Sequence, residues 1–293
     1  MRIAPRNRPS ILDPLPMSPH EYCRQKAAQS GSSFYYSFLF LPEARRRAIT
    51  ALYAFCREVD DVVDECSDVG VARMKLAWWR QEIASAYHGQ PQHPVARALA
   101  EVGGRFNLPQ QRLQEIIDGM EMDLEHNRYP DFASLRVYCH RVASVVGLLS
   151  AEIFGYQDQR TLEYAADLGM AFQLTNIVRD VGEDARRNRI YLPLDELTEY
   201  GVSVADITSA RETDSFRHLI KFQIERALGF YDRAISELPA VDRKPQRAGL
   251  VMAAIYRTLL DEIRNDGCRV LTQRTSLTPV RKLWIAWKTW IKG

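Results

Sequence analysis

Between Tyr53 and Glu65 the chain reads Tyr-Ala-Phe-Cys-Arg-Glu-Val-Asp-Asp-Val-Val-Asp-Glu. At about 100° per residue, Tyr53, Arg57, Asp60 and Asp64 fall within one narrow stripe of a helix, with Asp61 at its border. Leu52, Phe55, Val59, Val62 and Val63 form a separate apolar stripe, so such a helix buries one side and turns carboxylates and a guanidinium elsewhere. Like charges at i,i+4 destabilise an isolated helix by roughly 0.2–0.5 kcal/mol per pair, and Asp is a mediocre helix former. A face turned to water explains one such row. A second, Gln173-Leu-Thr-Asn-Ile-Val-Arg-Asp-Val-Gly-Glu-Asp184, steps Asn176, Asp180 and Asp184 by four along another helix, again with an arginine, Arg179, and apolar flanks. Together the rows read as two walls of one polyanion site, which requires their helices to face each other.

Mg²⁺-diphosphate chemistry calls for this pattern. Mg²⁺ prefers octahedral oxygen ligation and keeps several waters, so proteins hold it through a few carboxylates plus substrate phosphates. Interspersed arginines bind diphosphate oxygens in bidentate fashion.

The first row, Tyr-x-x-x-Arg-x-x-Asp-Asp-x-x-Asp, resembles the first aspartate-rich motif of the squalene and phytoene synthases, which join isoprenyl diphosphates head to head. Thr175 to Asp184, followed by Asn188-Arg-Ile-Tyr-Leu-Pro193, is similar to the second. Ser32-Ser-Phe-Tyr-Tyr36 and Tyr138-Cys-His-Arg-Val-Ala-Ser-Val-Val-Gly147 resemble two further family segments, all in family order. The resemblance implies an all-α, single-domain helical bundle with a central cavity. Asp60, Asp61, Asp64, Asn176, Asp180 and Asp184 are then the metal ligands, for Mg²⁺ or Mn²⁺ in its place. Ser33, Tyr53, Arg57, Gln173, Asn176, Arg179, Arg189, Tyr191, Tyr256 and Arg274 are substrate contacts, and Tyr138 stands near the reacting carbons. Ser33 precedes the Phe of its segment as the family's diphosphate-binding serine does; Gly31 replaces a second serine common in the family.

The chain has 293 residues, 46% of them hydrophobic and 26% charged, which suits one globular domain with a large core. We expect a disordered lead over 1–16, the synthase domain over 17–278, and a basic Trp-rich helix over 279–293. The formal net charge of +2 gives no reason to expect nucleic acid. Cys23, Cys56, Cys66, Cys139 and Cys268 are dispersed without Cys-x-x-Cys spacing and read as buried thiols. The Pro- and Arg-rich lead lacks the apolar core of a signal peptide. The longest apolar candidate, Val142 to Phe154, is interrupted by Ser144, Ser150 and Glu152, so no spanning helix is expected. A cytoplasmic protein follows, peripheral on the membrane's inner face if the C-terminal helix binds lipid. Nothing specifies an oligomer.

Helical periodicity predicts helices over 18–29, with Ser18 as N-cap, and over 43–65, 71–88, 93–106, 109–126, 132–154, 162–183, 214–238 and 247–265. No strand signal appears, so the fold class is all-α. Arg45, Arg46 and Arg47 read as a solvated face. Glu121, Asp123 and Glu125 do not share a helix face and read as poor metal ligands. Ala143, Ser144, Gly147 and Ser150 form a small-residue strip, suited to close helix packing or, under the resemblance, to walling a prenyl pocket. Ser144 stands where most family members have Gly, and this variant inclines the reading toward bacterial hopanoid-pathway presqualene diphosphate synthases. In the tail, three tryptophans alternate with lysines within the last ten residues, as in a helix lying in a membrane interface; a terminal helix docked on the protein body is the alternative.

The activity implied is Mg²⁺-dependent condensation of two farnesyl diphosphates to presqualene diphosphate, without NADPH. Phytoene or dehydrosqualene synthase and NADPH-dependent squalene synthase are the alternatives within the family. A noncatalytic helical assembly factor is the alternative of another class, and both intact acidic rows count against it. No residue stands out as the base that would take the proton lost on ring closure.

Overall fold

The computed structural model describes residues 17–30, 34–38 and 40–292, with backbone alone for Tyr35, Tyr36 and Lys292. The lead over 1–16 and Ser33 lie outside the described residues.

Among the described residues the chain is helical, and one isolated bridge, Arg128 to Ile190, is the only extended pairing. The helices are α1 (Pro19–Gln29), α2 (Phe34–Phe38), α3 (Glu43–Glu65), α4 (Val69–His88), α5 (Pro94–Gly103), α6 (Gln110–Glu125) and α7 (Phe132–Cys139). They continue with α8 (Val145–Phe154), α9 (Arg160–Arg186), α10 (Leu194–Glu199), α11 (Val204–Thr208), α12 (Asp214–Glu237), α13 (Arg247–Asn265) and α14 (Pro279–Lys292). Ser18 caps α1 as expected, its hydroxyl accepting from the Glu21 amide at 3.2 Å. Pro109 is the N-cap of α6 and not part of its first turn.

The expected acidic helix forms as α3, without a break. It buries Ile49, Leu52, Phe55, Val59, Val62 and Val63 among others, and each large apolar side chain is worth about 1.5–3 kcal/mol on burial. That gain outweighs the few tenths of a kcal/mol lost to each like-charged pair on the opposite stripe. α3 joins α1, α4, α5, α6 and α8 in one apolar cluster, while α9, α12 and α13 build a second. α9 runs through the middle, with α12 along one side and α8 along another.

The stretch 132–154 departs from the single helix expected. Residues His140–Ser144 form a π-turn between α7 and α8, a local widening that recurs at functional sites. It lies where backbones approach closely. A Cβ on Gly169 would come 2.4 Å from the Ala143 carbonyl oxygen, and one on Gly147 would come 2.2 Å from that of Ala165. The same stretch is apolar enough over 18 residues, at mean hydropathy 1.3, to cross a bilayer by length and composition. Its serines and Glu152 therefore do not decide the matter; its packing against α6 and α9 does, because that makes it a core helix.

The C-terminal residues form α14 as expected. It docks on α13 and α2 through buried Ile285 and Ala286, and the Trp290 ring packs against Phe40, tilted by 31° with centroids 5.2 Å apart.

Candidate active site

An apolar cavity separates α3 from α9. Leu52, Tyr53 and Cys56 line it from one side, Leu168, Gly169, Phe172, Gln173 and Asn176 from the other, and Phe34 and Phe38 from α2. The α8 wall is made by Val146, Gly147 and Ser150, preceded by Val142 and Ala143 of the π-turn. The small-residue strip thus serves both readings: it lets α8 approach α9, and it leaves the space. Ser144 is the exception. It turns away from the cavity and donates to the Ala166 carbonyl at 2.8 Å.

A second, polar cleft adjoins the cavity, sharing Phe34, Tyr53 and Asn176 with it. Arg57, Arg179, Arg274 and Lys282 line this cleft together with Tyr256 and Ser30. Four cations beside a greasy tunnel suit a ligand with a polyanionic head and a hydrocarbon tail. Tyr53 donates to the Ser30 hydroxyl at 2.9 Å, tying α3 to the end of α1.

The two acidic rows meet at one edge of this arrangement. Asp64 of α3 receives Arg189 at 2.6 Å and Arg187 at 2.7 Å, both from the end of α9 and the turn beyond. Asp180 receives Nε of Arg179 and Nε of Arg274, each at 2.7 Å. Arg57 splits between Asp60 and Asp61, at 2.6 Å each, and Lys26 of α1 adds a contact to Asp61 at 2.9 Å. Burial raises Asp60 to about 7, with Asp64, Asp61 and Asp123 adding to the rise against the pull of Arg57. Burial raises Asp184 further, to about 8, reinforced by Asp180, Asp123 and Asp64. Asp180 goes the other way. Burial alone would raise it, but Arg179 and Arg274 outweigh burial and hold it below the usual carboxylate range. Asp184 of the second row feels the charge of Asp64 in the first, and Asp64 is paired with arginines that follow the second row, so the two rows do not sit on opposite outer surfaces.

Behind the rows stands a buried aromatic box. Tyr138 and Tyr191 stack at 5.3 Å and 19°, Tyr129 lies against both, and the hydroxyls of Tyr138 and Tyr191 each donate to Asp123 at 2.8 Å. Burial lifts Asp123 to about 6 although both hydrogen bonds and Arg189 oppose the rise.

Residues 27–281 match the family described as Squalene/phytoene synthase. The chain belongs to the squalene/phytoene synthase family. The phytoene synthase of Arthrospira platensis is 38% identical over 277 residues, covering 90% of each chain. Among solved structures, a dehydrosqualene synthase in complex with ligand superposes with a TM-score of 0.85 at 26% identity, covering 92% of this chain and 95% of that one. Squalene synthase HpnC from Alicyclobacillus acidocaldarius follows with a TM-score of 0.75 at 30% identity, over 85% of this chain and 94% of that one. The all-α isoprenoid-synthase architecture expected from the motifs is the one this synthase has.

Against that fold, most expected positions of the synthase converge. Tyr53, Gln173 and Asn176 reach the cavity, and Arg57, Arg179, Tyr256 and Arg274 line the polar cleft. Tyr138 and Tyr191 differ: they are buried, and neither lines the cavity or the cleft. Their reach to the site runs through Asp123. Asp123 parts from Glu121 and Glu125 in what it faces, in keeping with their not sharing a helix face. Glu121 pairs with Arg80 at 2.7 Å and Glu125 approaches Arg73, but Asp123 points inward to the acidic rows. Lys282, read only as part of the basic tail, is another cation of the cleft. Among the described residues no group of three His, Cys, Asp or Glu side chains is arranged to hold a metal ion by itself.

Proposed function

We propose that this synthase condenses two C20 allylic diphosphates, of the geranylgeranyl type, head to head to a phytoene-type product. The observation that carries a head-to-head prenyl transfer is the pairing of an apolar cavity with a four-cation cleft, joined at Phe34, Tyr53 and Asn176 and edged by both acidic rows. Identity of 38% to a phytoene synthase over 90% of the chain supports the C20 choice, and Ser144, which faces α9, offers no support for the narrower presqualene reading. The second reading, two farnesyl diphosphates ending at presqualene diphosphate or its C30 relatives, is favoured by the likeness to a dehydrosqualene synthase and to HpnC.

The residues fit divalent cations in kind. The buried Oδ1 of Asn176 has no hydrogen-bond partner, and Asp60 and Asp184, both raised first by burial, also feel neighbouring carboxylates whose repulsion a cation between the rows would relieve. Asp60, Asp64, Asn176, Asp180 and Asp184, with Asp61 at their border, would hold Mg²⁺ or Mn²⁺, which when bound neutralises charge developing on a departing diphosphate. An open carboxylate set completed by substrate phosphates is the usual Mg²⁺ arrangement.

The chain's own groups do the rest. Arg57, Arg179, Arg274 and Lys282 take up the diphosphate as its C–O bond breaks. The faces of Phe34, Tyr53 and Phe172 lie along the cavity where the allylic cation waits, and aromatic faces stabilise cations. Apolar walls keep water from that cation until the second substrate's double bond forms the new C–C bond. Proton loss closes the cyclopropane, and Asp123 fixes the Tyr138 and Tyr191 hydroxyls behind the acidic rows. Phytoene formation then takes departure of the second diphosphate, rearrangement of the cyclopropylcarbinyl cation and loss of a second proton, so two diphosphates and two protons leave in all and no reductant is consumed.

The test is turnover of labelled C15 and C20 diphosphates with Mg²⁺, with and without reduced nicotinamide, products identified by mass spectrometry. We expect phytoene from the C20 substrate without reductant. A C15-derived presqualene diphosphate would favour the second reading, squalene appearing only with reductant would favour a squalene synthase, and no diphosphate release from either substrate would leave a noncatalytic helical protein.

A further inference from the structure

α14 is docked with its apolar side outward. Its body contact uses Ile285 and Ala286, whereas Val280, Leu283, Trp284, Trp287 and Ile291 are 77%, 43%, 55%, 56% and 61% exposed. Positions 280, 284, 287 and 291 fall on one stripe of the helix, with 283 at its edge. These are five of the fifteen large apolar side chains exposed among the described residues, gathered on 14 residues. A contiguous apolar face of this kind marks an interaction surface.

The chemistry of the flanks selects the partner. The helix carries Arg281, Lys282, Lys288 and Lys292 and no acidic residue. Lys282 turns inward to the polar cleft, while Lys288 lies beside the stripe with its ammonium 4.7 Å from the Trp284 ring. Arg281 pairs with Glu262 of α13. Tryptophans bordered by lysines match the depth profile of a bilayer surface, aromatic rings at headgroup level and ammonium groups among phosphates. Fourteen residues rise about 21 Å, short of a hydrocarbon core of about 30 Å, so the helix lies on a membrane and does not cross it.

We propose that α14 seats the folded protein on an anionic lipid surface through Trp284, Trp287 and Ile291, with Lys288 meeting the headgroups. The inference is independent of which prenyl diphosphate is the substrate. Seated so, α14 lies between the bilayer and its docking partners α2 and α13. Both partners also wall the apolar cavity with Phe38, Ala248, Gly249 and Met252.

The experiment is co-sedimentation of the full-length protein with vesicles of phosphatidylcholine alone and of phosphatidylcholine mixed with phosphatidylglycerol. It compares wild type with Trp284→Glu/Trp287→Glu and with Lys288→Glu, alongside size-exclusion chromatography with light scattering. We expect wild type to bind the anionic vesicles, the double variant to bind them about tenfold or more weakly, and Lys288→Glu to lose the preference for anionic lipid. Circular dichroism and turnover of detergent-dispersed substrate should not change, since none of these side chains lines the cavity or the cleft. Wild type failing to bind anionic vesicles overturns the proposal, as does equal binding by the double variant. Equal binding to both vesicle types removes the electrostatic half. A wild-type dimer that the double variant dissociates, with no vesicle binding, would assign the face to a second copy of the chain instead.

Discussion

Asp184→Asn should make the metal-free protein more stable while removing its activity, and the gain should grow with pH. Burial and the neighbouring Asp180, Asp123 and Asp64 raise this carboxyl to about 8. The folded protein therefore holds a proton there that the unfolded chain releases near pH 4. The stability this contributes is full below the unfolded value and is lost as pH rises through about 8. Asn imitates the protonated acid at every pH. At pH 7 the wild type forgoes about 1.4 kcal/mol for each of roughly three pH units above the unfolded value, a ceiling of about 4 kcal/mol. Asp184 is only partly buried, and water at the carboxylate reduces this to roughly 2 kcal/mol. Urea unfolding in EDTA, followed by circular dichroism across pH 4 to 9, reads the difference. The two proteins should nearly coincide at pH 4, separate up to about pH 8 and stay parallel above it. A gap that does not vary with pH, or a variant less stable than wild type at pH 8, would refute the electrostatic reading. So would a variant that Mg²⁺ with inorganic diphosphate stabilises as much as wild type.

Asp123→Asn keeps one acceptor oxygen for two tyrosine hydroxyls, and should lower kcat by roughly 10²-fold with unchanged helicity; wild-type turnover would show that the aromatic box is only packing. Arg274 is 47% exposed, so Arg274→Ala should cost less than about 1 kcal/mol of stability yet raise KM for the diphosphate substrate about tenfold, measured by steady-state kinetics. Gly169→Ala would press its Cβ to 2.4 Å from the Ala143 carbonyl oxygen and 2.8 Å from the Ser144 Cα. Overpacking against backbone should destabilise the fold by about 1–3 kcal/mol, and an unchanged thermal midpoint would mean that α8 and α9 can slide apart freely.

The acidic rows were legible in the sequence because a 3.6-residue period writes a helix face directly into the spacing of its charges, and α3 and α9 are long enough to show several turns. Asp123 was not legible by that route. Residues 121, 123 and 125 lie about 200° apart in sequence steps, so their common charge looks scattered. Only tertiary packing separates Glu121 and Glu125, which go to arginines of α4, from Asp123, which α6 turns toward α3 and α9. The π-turn at 140–144 was invisible for the opposite reason: an apolar run with helical propensity throughout gives no sign that one turn widens. The short helices α10 and α11 were missed because they span only about one turn to a turn and a half, although the Ser203 and Asp206 capping box of α11 was a readable start signal. The tail showed its composition and not its orientation. Which side of α14 docks was decided by Ile285 and Ala286 fitting against α13, a matter of shape that hydropathy does not report.

The ion pairs of the site also explain how so many like charges coexist in one fold. Asp60, Asp61, Asp64 and Asp180 are each held by arginine or lysine, and the same arginines line, or lie beside, the cleft proposed for diphosphate. Each guanidinium is therefore committed to a carboxylate in the ligand-free protein and to a phosphate oxygen in the proposed complex. Divalent cations and diphosphate arriving together let both partners exchange: carboxylates keep a positive neighbour, and arginines keep an anionic one. Either arriving alone strips one set of charges of its partners. Diphosphate alone would leave Asp60 and Asp180 unpaired, and cations alone would leave arginines facing them, costs of the kind that make a broken buried ion pair destabilising. Binding of the two is then positively coupled, and by linkage each raises the affinity of the other by the same factor. Under the proposed function, the arrangement that folds the acidic rows safely would thus also make the site respond to a metal–diphosphate pair and not to its separate halves.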